Sequence, residues 1–346
     1  MTPSFEKVQE WRNVDLGVFR EQIVPGNQPA VLRGLIGDWP AVREGLKSSG
    51  ALVDYLRRFD TGRSVQVYVG DASINGRFFY TDDLQGFNFQ RAQEPIGASL
   101  GRLLDHLNDP SPPSIYIQSA PIPDCLPGFG DENSLGLVKR SVVPRIWIGN
   151  AISVSAHFDL SDNIACVVGG RRRFTLFPPE QLANLYVGPL EFTIAGPPVS
   201  MVSLDDPDLE RYPRFREALA AAKVAELEPG DAIYIPYFWW HHVRSLERFN
   251  VLVNYWWNDA APAVMGSPFD CMLHALLSLR DLPENQRAAW RAVFDYYVFK
   301  THGDPVAHLA PDQRGTLGPM TPEHARRMGL TLLNSLARSL GVQPAN

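Results

Sequence analysis

The sequence predicts a mainly β protein with flanking α-helices, and three observations carry that reading. Between about Ser114 and Asn258, short runs of β-branched and aromatic residues are separated by turn residues, the pattern of antiparallel strands in a sandwich or barrel. The 29 prolines and 27 glycines among 346 residues imply many turns and short strands rather than long helices. After about Ala260 the apolar residues change to a helical period.

The elements follow in order. From Trp11 to about Leu107 the texture is mixed. Pro29-Ala30-Val31-Leu32-Arg33 is an extended run ending at Gly34, Ser64 to Val69 is another, and Ile96 to Leu107 is helical. In the middle region the strands include Ser114–Gln118, Arg145–Gly149, Arg172–Phe177 and Asp231–Pro236. Pro229-Gly230 before the last of these is a type II turn signal, because proline presets the first central residue and glycine supplies a positive φ at the second. Ser267-Pro268-Phe269-Asp270 starts a helix running to Leu279. Asp281 and Glu284 are expected to cap a second helix, in which Trp290, Val293, Phe294, Tyr297 and Val298 share one face. Thr321-Pro322 opens a third, with Met328, Leu332, Leu336 and Leu340 on one side and Gly341 at its end. Three regions are therefore expected. Residues 1–113 form an N-terminal mixed α/β region packing on the barrel, 114–260 the β-barrel, and 261–346 a set of helices. Those helices either cap the β core or pair with a second copy as a homodimer.

Composition narrows the function. With 45% hydrophobic, 20% charged and 11% aromatic residues, the chain is neither disordered nor a coiled coil. A net charge of -6 with no run of like charge counts against a surface built to neutralise a phosphate backbone. Cys125, Cys166 and Cys271 are far apart and in no CxxC spacing, so buried thiols in a reducing compartment are expected. The first fifteen residues lack the apolar core of a signal peptide, and no stretch approaches the ~20 apolar residues that span a membrane. A cytoplasmic location is expected.

The residues able to do chemistry are few. In Ser155-Ala156-His157-Phe158-Asp159-Leu160 an imidazole and a carboxylate stand two apart, which on a strand puts them on one face with Phe158 turned away. Far downstream, after Pro229-Gly230-Asp231 and an apolar strand, an aromatic run delivers His241 or His242. Adjacent strand residues point oppositely, so only one of them can join the first pair, and parity does not choose. Two imidazoles and one carboxylate on facing strands form a facial triad suited to Fe(II), with three coordination positions open and no thiolate pattern favouring zinc. Arg171, Arg172 and Arg173 alternate on a strand, so either all three are solvated surface charges or Arg172 turns inward while its neighbours face solvent; the His157-Phe158-Asp159 triplet and the glycine turn just upstream favour the second. A buried cation there would meet an anionic ligand whose other end reaches the metal. Trp256 shares a face with Asn254 and is placed near the metal, while the other tryptophans are expected to fill the core. His106, His274, His302, His308 and His324 have no partner pattern.

Several motifs in order resemble the JmjC/cupin-like oxygenases. They are Trp147-Ile148-Gly149, His157-Phe158-Asp159, Gly169 to Pro179, Asp208 to Phe215, Trp239-Trp240-His241-His242-Val243 and Asn254-Tyr255-Trp256-Trp257, with a weaker echo at Val31-Leu32-Arg33-Gly34 and Asp38-Trp39-Pro40. The branch they resemble most is the asparaginyl hydroxylase of hypoxia-inducible factor and its bacterial cupin-like relatives. The resemblance implies a double-stranded β-helix of the cupin/jelly-roll, JmjC type, an Fe(II)- and 2-oxoglutarate-dependent hydroxylase. It makes His157, Asp159 and His241 the metal ligands and catalytic residues, and it assigns Arg172, Tyr116, Asn163 and Asn254 to binding the cosubstrate. Arg172 stands where the family usually has lysine; a guanidinium offers a carboxylate a bidentate fork but is bulkier. Val154 stands where a threonine hydroxyl is common, unless Ser153 or Ser155 substitutes. The substrate expected is a protein side chain, a peptide or a small molecule. The rival reading, from Val154 and Arg172, is a non-catalytic metal-binding or ligand-sensing cupin-like protein.

Overall fold

The computed structural model describes residues 5–260 and 267–342, and the chain divides into two compact units, Met1–Asn258 and Asp259–Asn346. Among its described residues the first holds fourteen strands, beginning with β1 Glu6–Lys7, β2 Gln9–Arg12, β3 Ala30–Arg33, β4 Ser64–Gly70, β5 Phe89–Pro95, β6 Ser114–Pro121 and β7 Pro144–Gly149. They continue with β8 Ser153–His157, β9 Asp162–Gly169, β10 Arg172–Phe177, β11 Lys223–Leu227, β12 Ala232–Ile235, β13 Trp240–Ser245 and β14 Asn250–Trp257. Two sheets result, one ordered β1-β11-β10-β13-β8 and the other β2-β3-β12-β9-β14-β7-β6-β4-β5. From β7 to β14 consecutive strands alternate between the sheets, as in a double-stranded β-helix, except at β10 and β11, which pair with each other in the five-stranded sheet.

Alternation along β9 shows how the sequence builds three layers. Ala165 and Val167 face the five-stranded sheet and pack with Phe174, Leu176, Ile233 and Leu252. Ile164, Cys166 and Val168 face the other way, onto the helices Pro40–Lys47 and Ser49–Arg57. Both faces of β9 are buried, so the strand is a near-continuous apolar run, each Ile or Val worth roughly 1.5–3 kcal/mol when fully covered. Gly45 lets the first of these helices approach closely: a Cβ there would lie 2.9 Å from the carbonyl oxygen of Val168. The turn at Pro229-Gly230 has its glycine at φ 101° and closes with Asp231 N–H donating to Glu228 O at 3.0 Å. The Asp231 carboxylate then accepts from Gly34 N–H at 2.9 Å, fixing β12 beside β3.

Residues 5–113 share sheets and core with the barrel. They supply β2 and β3 at one end of the nine-stranded sheet and β4 and β5 at the other. Their apolar side chains share one core with those of β6, β7, β9 and β14. The sheet extension through β6, β4 and β5 lengthens the face on which the site sits.

The second unit holds the helices Pro268–Leu279, Glu284–Tyr297 and Pro322–Leu340. Ser267 and Asp270 form a reciprocal capping box, Thr321 accepts from His324 N–H, and Gly341 ends the last helix in the left-handed region. The second helix departs from expectation. Pro283 occupies its cap position and makes no side-chain bond to the helix N-terminus, so Asp281 and Glu284 are not a capping pair. Cys125 and Cys166 are buried as expected, but Cys271, on the first helix of this unit, is exposed. Among the described residues no helix is long and apolar enough to cross a membrane.

Candidate metal centre

His157 and His241 lie directly opposite each other on the antiparallel pair β8 and β13, with ring centroids 4.3 Å apart. Between them and the next pair, Val154 and Val243, the register shifts, so β8 carries one residue more than β13. That β-bulge lets Val154 and His157, three apart in sequence, both line one cavity, which a regular pleat would forbid. β8 ends at His157, so Asp159 lies beyond the strand. It reaches the same cavity while Phe158 packs to the other side, against Phe238 and Trp240 with centroids 4.1 and 4.9 Å away. His157 and Asp159 thus converge with Phe158 turned away, as the two-residue spacing predicts, although the paired strand itself stops at His157.

Ligand atoms of His157, Asp159 and His241 all lie within 4.8 Å of one another. Among the described residues this is the one group of three or more His, Cys, Asp or Glu side chains so placed. His157 Nδ1 is 2.9 Å from Ser155 O, and His241 Nδ1 is 3.0 Å from Trp239 O. A carbonyl only accepts, so each Nδ1 carries the proton and each Nε2 presents a lone pair. Burial, reinforced by His157, pushes His241 down to about 4, leaving it neutral at pH 7. Its Nε2 is then 3.6 Å from Asp159 Oδ2 with no proton between two electron-rich atoms. That donor set of two imidazoles, each with Nδ1 held by a carbonyl, and one carboxylate fits a divalent transition metal, and it contains no thiolate.

A second ring of contacts orients the carboxylate. Trp256 Nε1–H and Asn163 Nδ2–H both donate to Asp159 Oδ2, at 2.9 and 3.3 Å. Asn254 Nδ2–H donates to Asn163 Oδ1 at 3.2 Å, and Trp147 Nε1–H donates to Asn254 Oδ1 at 2.7 Å. Such outer partners hold a ligating group in one rotamer. Trp256 sits where the sequence places it. Trp147 is a donor the sequence reading missed, although strand alternation from Arg145 places both on one face of β7. Trp239 and Trp240 fill two separate cores, as expected of most of the tryptophans.

Arg172 points into the same cavity as Tyr116. Its neighbours face solvent: Arg171 Nε meets Glu247 at 2.7 Å and Arg173 Nε meets Glu226 at 2.8 Å. Arg172 is only 2% exposed, and its Nε and Nη2 have no hydrogen-bond partner. Burial pulls its pKa below the usual guanidinium range and pushes Tyr116, beside it, upward. An unmatched buried cation at one end of a cavity and a metal triad at the other suit an anionic ligand that spans both.

His242 does not join this group. It lies on the far face of β13, where its Nε2 is 2.9 Å from Ser153 Oγ. Asp205 contacts that hydroxyl at 3.4 Å and pairs with Arg244. The choice that parity left open therefore falls on His241. Ser153 is also removed as a cavity hydroxyl, and Val154 presents an apolar wall there.

Comparison with known proteins agrees with this architecture. The profile of the cupin-like domain matches residues 16–262, more than half of the chain. The chain belongs to the cupin-like domain family. Curated relatives of this cupin-like chain include Lysine-specific demethylase JMJ31 of Arabidopsis thaliana, 27% identical over 70% of this chain and 48% of that protein. Lysine-specific demethylase 8 of Danio rerio is 29% identical over 69% of the chain and 55% of its own length. The tRNA wybutosine-synthesizing protein 5 of Mus musculus is 27% identical over 81% of the chain and 91% of its own length. The chain spans about half the length of the two demethylases it matches. These relatives support the broad JmjC/cupin-like grouping rather than the asparaginyl hydroxylase branch in particular.

Proposed function

We propose that the chain is an Fe(II)- and 2-oxoglutarate-dependent oxygenase that hydroxylates a C–H bond of a protein side chain, a peptide or a small molecule. One observation carries the reading: the His157, Asp159 and His241 triad and the buried guanidinium of Arg172, whose Nε and Nη2 have no hydrogen-bond partner, face one cavity. His157 and His241 would hold the metal through Nε2 and Asp159 through its carboxylate. When bound, iron with 2-oxoglutarate and dioxygen supplies the oxidation, one oxygen atom entering a C–H bond as the keto acid becomes succinate and carbon dioxide. The chain's own part is placement. Arg172 and Tyr116 would grip the far carboxylate of the keto acid, as a fork and a hydroxyl suit its two oxygens. The Trp147–Asn254–Asn163–Asp159 sequence of hydrogen bonds keeps the metal carboxylate aimed. Phe174, Val243, Leu252 and Val154 make the cavity walls apolar, which strengthens each polar contact inside.

The test is succinate formation. The full chain is loaded anaerobically with Fe(II), given 2-oxoglutarate and then oxygen, and compared with Asp159→Ala. Succinate above the Asp159→Ala background is expected even without a substrate. Val154, which offers no hydroxyl to the cosubstrate, favours one other reading, a metal-binding protein that senses a ligand without turnover. Absence of both succinate and keto-acid binding would support that alternative.

A further inference from the structure

Past the metal centre, the inward face of the nine-stranded sheet runs on into an open groove of about 820 Å³, within the range of ligand sites. Its floor crosses four strands through Arg91 and Gln93 of β5, Gln66 of β4, Gln118 of β6 and Arg145 of β7. Residues 193–196 wall one side. That wall is tied down, since Tyr68 Oη–H and Arg91 Nη2–H both donate to Ile194 O, at 3.1 and 2.8 Å. Tyr80 Oη–H donates to Phe192 O at 2.7 Å.

Arg145 joins the groove to the metal. Its guanidinium carbon is 5.9 Å from the centroid of Trp256, whose Nε1–H donates to Asp159 Oδ2 at 2.9 Å. The guanidinium is held from below by Ser119, whose carbonyl and hydroxyl oxygens accept from Nη1 at 2.8 and 3.2 Å. Ser119 adopts φ 49°, left-handed for a non-glycine residue, where the β6–β7 register shifts between Ile117 and Ala120. Backbone of that kind gathers at ligand sites, and here it aims one side chain. Arg63 at the rim is offset by Asp124 at 3.5 Å. Among the described residues, neither Arg145 nor Arg91 has a carboxylate within salt-bridge distance.

We propose that this groove binds an extended acidic peptide segment, a substrate carboxylate being held by Arg145 with the oxidised residue next to it over Trp256. The proposal rests on the oxygenase reading for the fate of the peptide but not for its binding. Three glutamine amides between two unpaired arginines match the mixture of carboxylates and main-chain amides along an acidic peptide. Three inter-strand steps span roughly 14 Å, the length of about four extended residues. A nucleic-acid strand would bring a phosphate at every residue, whereas of the groove's three arginines Arg63 is already offset by Asp124.

The test is fluorescence polarisation on the full chain with two labelled nonapeptide pools, identical except for three fixed Glu in one and three fixed Gln in the other. The Glu pool is expected to bind at least tenfold tighter and to weaken as salt rises. Arg145→Gln is expected to lose roughly tenfold of that affinity and Arg91→Gln a smaller factor. Arg173→Gln, which removes an exposed charge paired with Glu226, is expected to change nothing. Thermal unfolding checks that each variant is folded, and Arg91→Gln serves if Arg145→Gln is not. Equal binding of the two pools, undiminished binding by both groove variants, or tighter binding of a nine-residue oligothymidylate would overturn the proposal. Succinate is measured on the same samples without peptide. Succinate without Glu preference removes the groove proposal alone; Glu preference without succinate removes the oxygenase reading alone.

Discussion

Replacing Arg172 by Met separates a structural arginine from a ligand-gripping one. Arg172 is 2% exposed, and its Nε and Nη2 are without partners, so the ligand-free fold carries a desolvated cation with little to offset it. Exchanging a buried ionic group for an apolar one of similar size often stabilises a protein by about 1–4 kcal/mol. For a unit of this size each kcal/mol moves the unfolding midpoint by roughly 2–4 °C, so the Met variant is expected to melt roughly 2–16 °C higher. The ligand response runs the opposite way. At a hundred times its Kd, 2-oxoglutarate stabilises a competent protein by about 2.7 kcal/mol. Wild type should gain that increment, and the Met variant should gain almost nothing. The assay is thermal unfolding with Mn(II) present as a redox-silent metal, with and without the keto acid. A Met variant that melts lower than wild type and is still stabilised by 2-oxoglutarate would show that Arg172 holds the fold rather than the ligand.

Three further outcomes are expected. In calorimetric Mn(II) titrations His157→Ala, Asp159→Ala and His241→Ala should each abolish binding, whereas His242→Ala should stay within a few-fold of wild type; the reverse order for the last two would place the metal on the other side of β13. Trp256→Phe removes the Nε1–H donor to Asp159 and should weaken Mn(II) about 10- to 100-fold with the fold intact, an unchanged affinity showing the bond to be idle. The metal-free protein should also lose stability in acid. Burial pushes both His241 and His242 down to about 4, against about 6.5 for an imidazole in the unfolded chain. Below about 6.5 the unfolded state takes protons that the fold refuses, so this stability is complete above pH 6.5 and declines toward pH 4. Urea midpoints that stay flat from pH 6.5 to 4.5 would contradict the burial of these rings.

How much was legible depended on range along the chain. Strand positions such as Ser64–Gly70 and Ala232–Ile235, the Pro229-Gly230 turn and the Ser267 and Thr321 caps all follow from residues within a turn of one another. The triplet His157-Phe158-Asp159 was legible for the same reason. The misses came where a local signal competed with a neighbour. Asp281 and Glu284 had capping spacing, yet Pro283 took the cap position, and Cys271 fell on an exposed part of its helix. That residues 5–113 share the nine-stranded sheet with the middle region is not visible in their texture, because hydrogen-bonded edges do not register in composition.

What the sequence alone determined was the inventory: a β-rich core, two histidines and an aspartate in a metal-binding pattern, and an inward arginine among three. The tertiary structure decided which atoms meet. It selected His241 over His242, turned Val154 and His157 to one cavity through a bulge, and set Arg145 beside Trp256 at the mouth of a groove. The reason is that side-chain direction repeats every two residues within a strand, whereas the face that becomes the interior depends on which distant strand pairs and in what register.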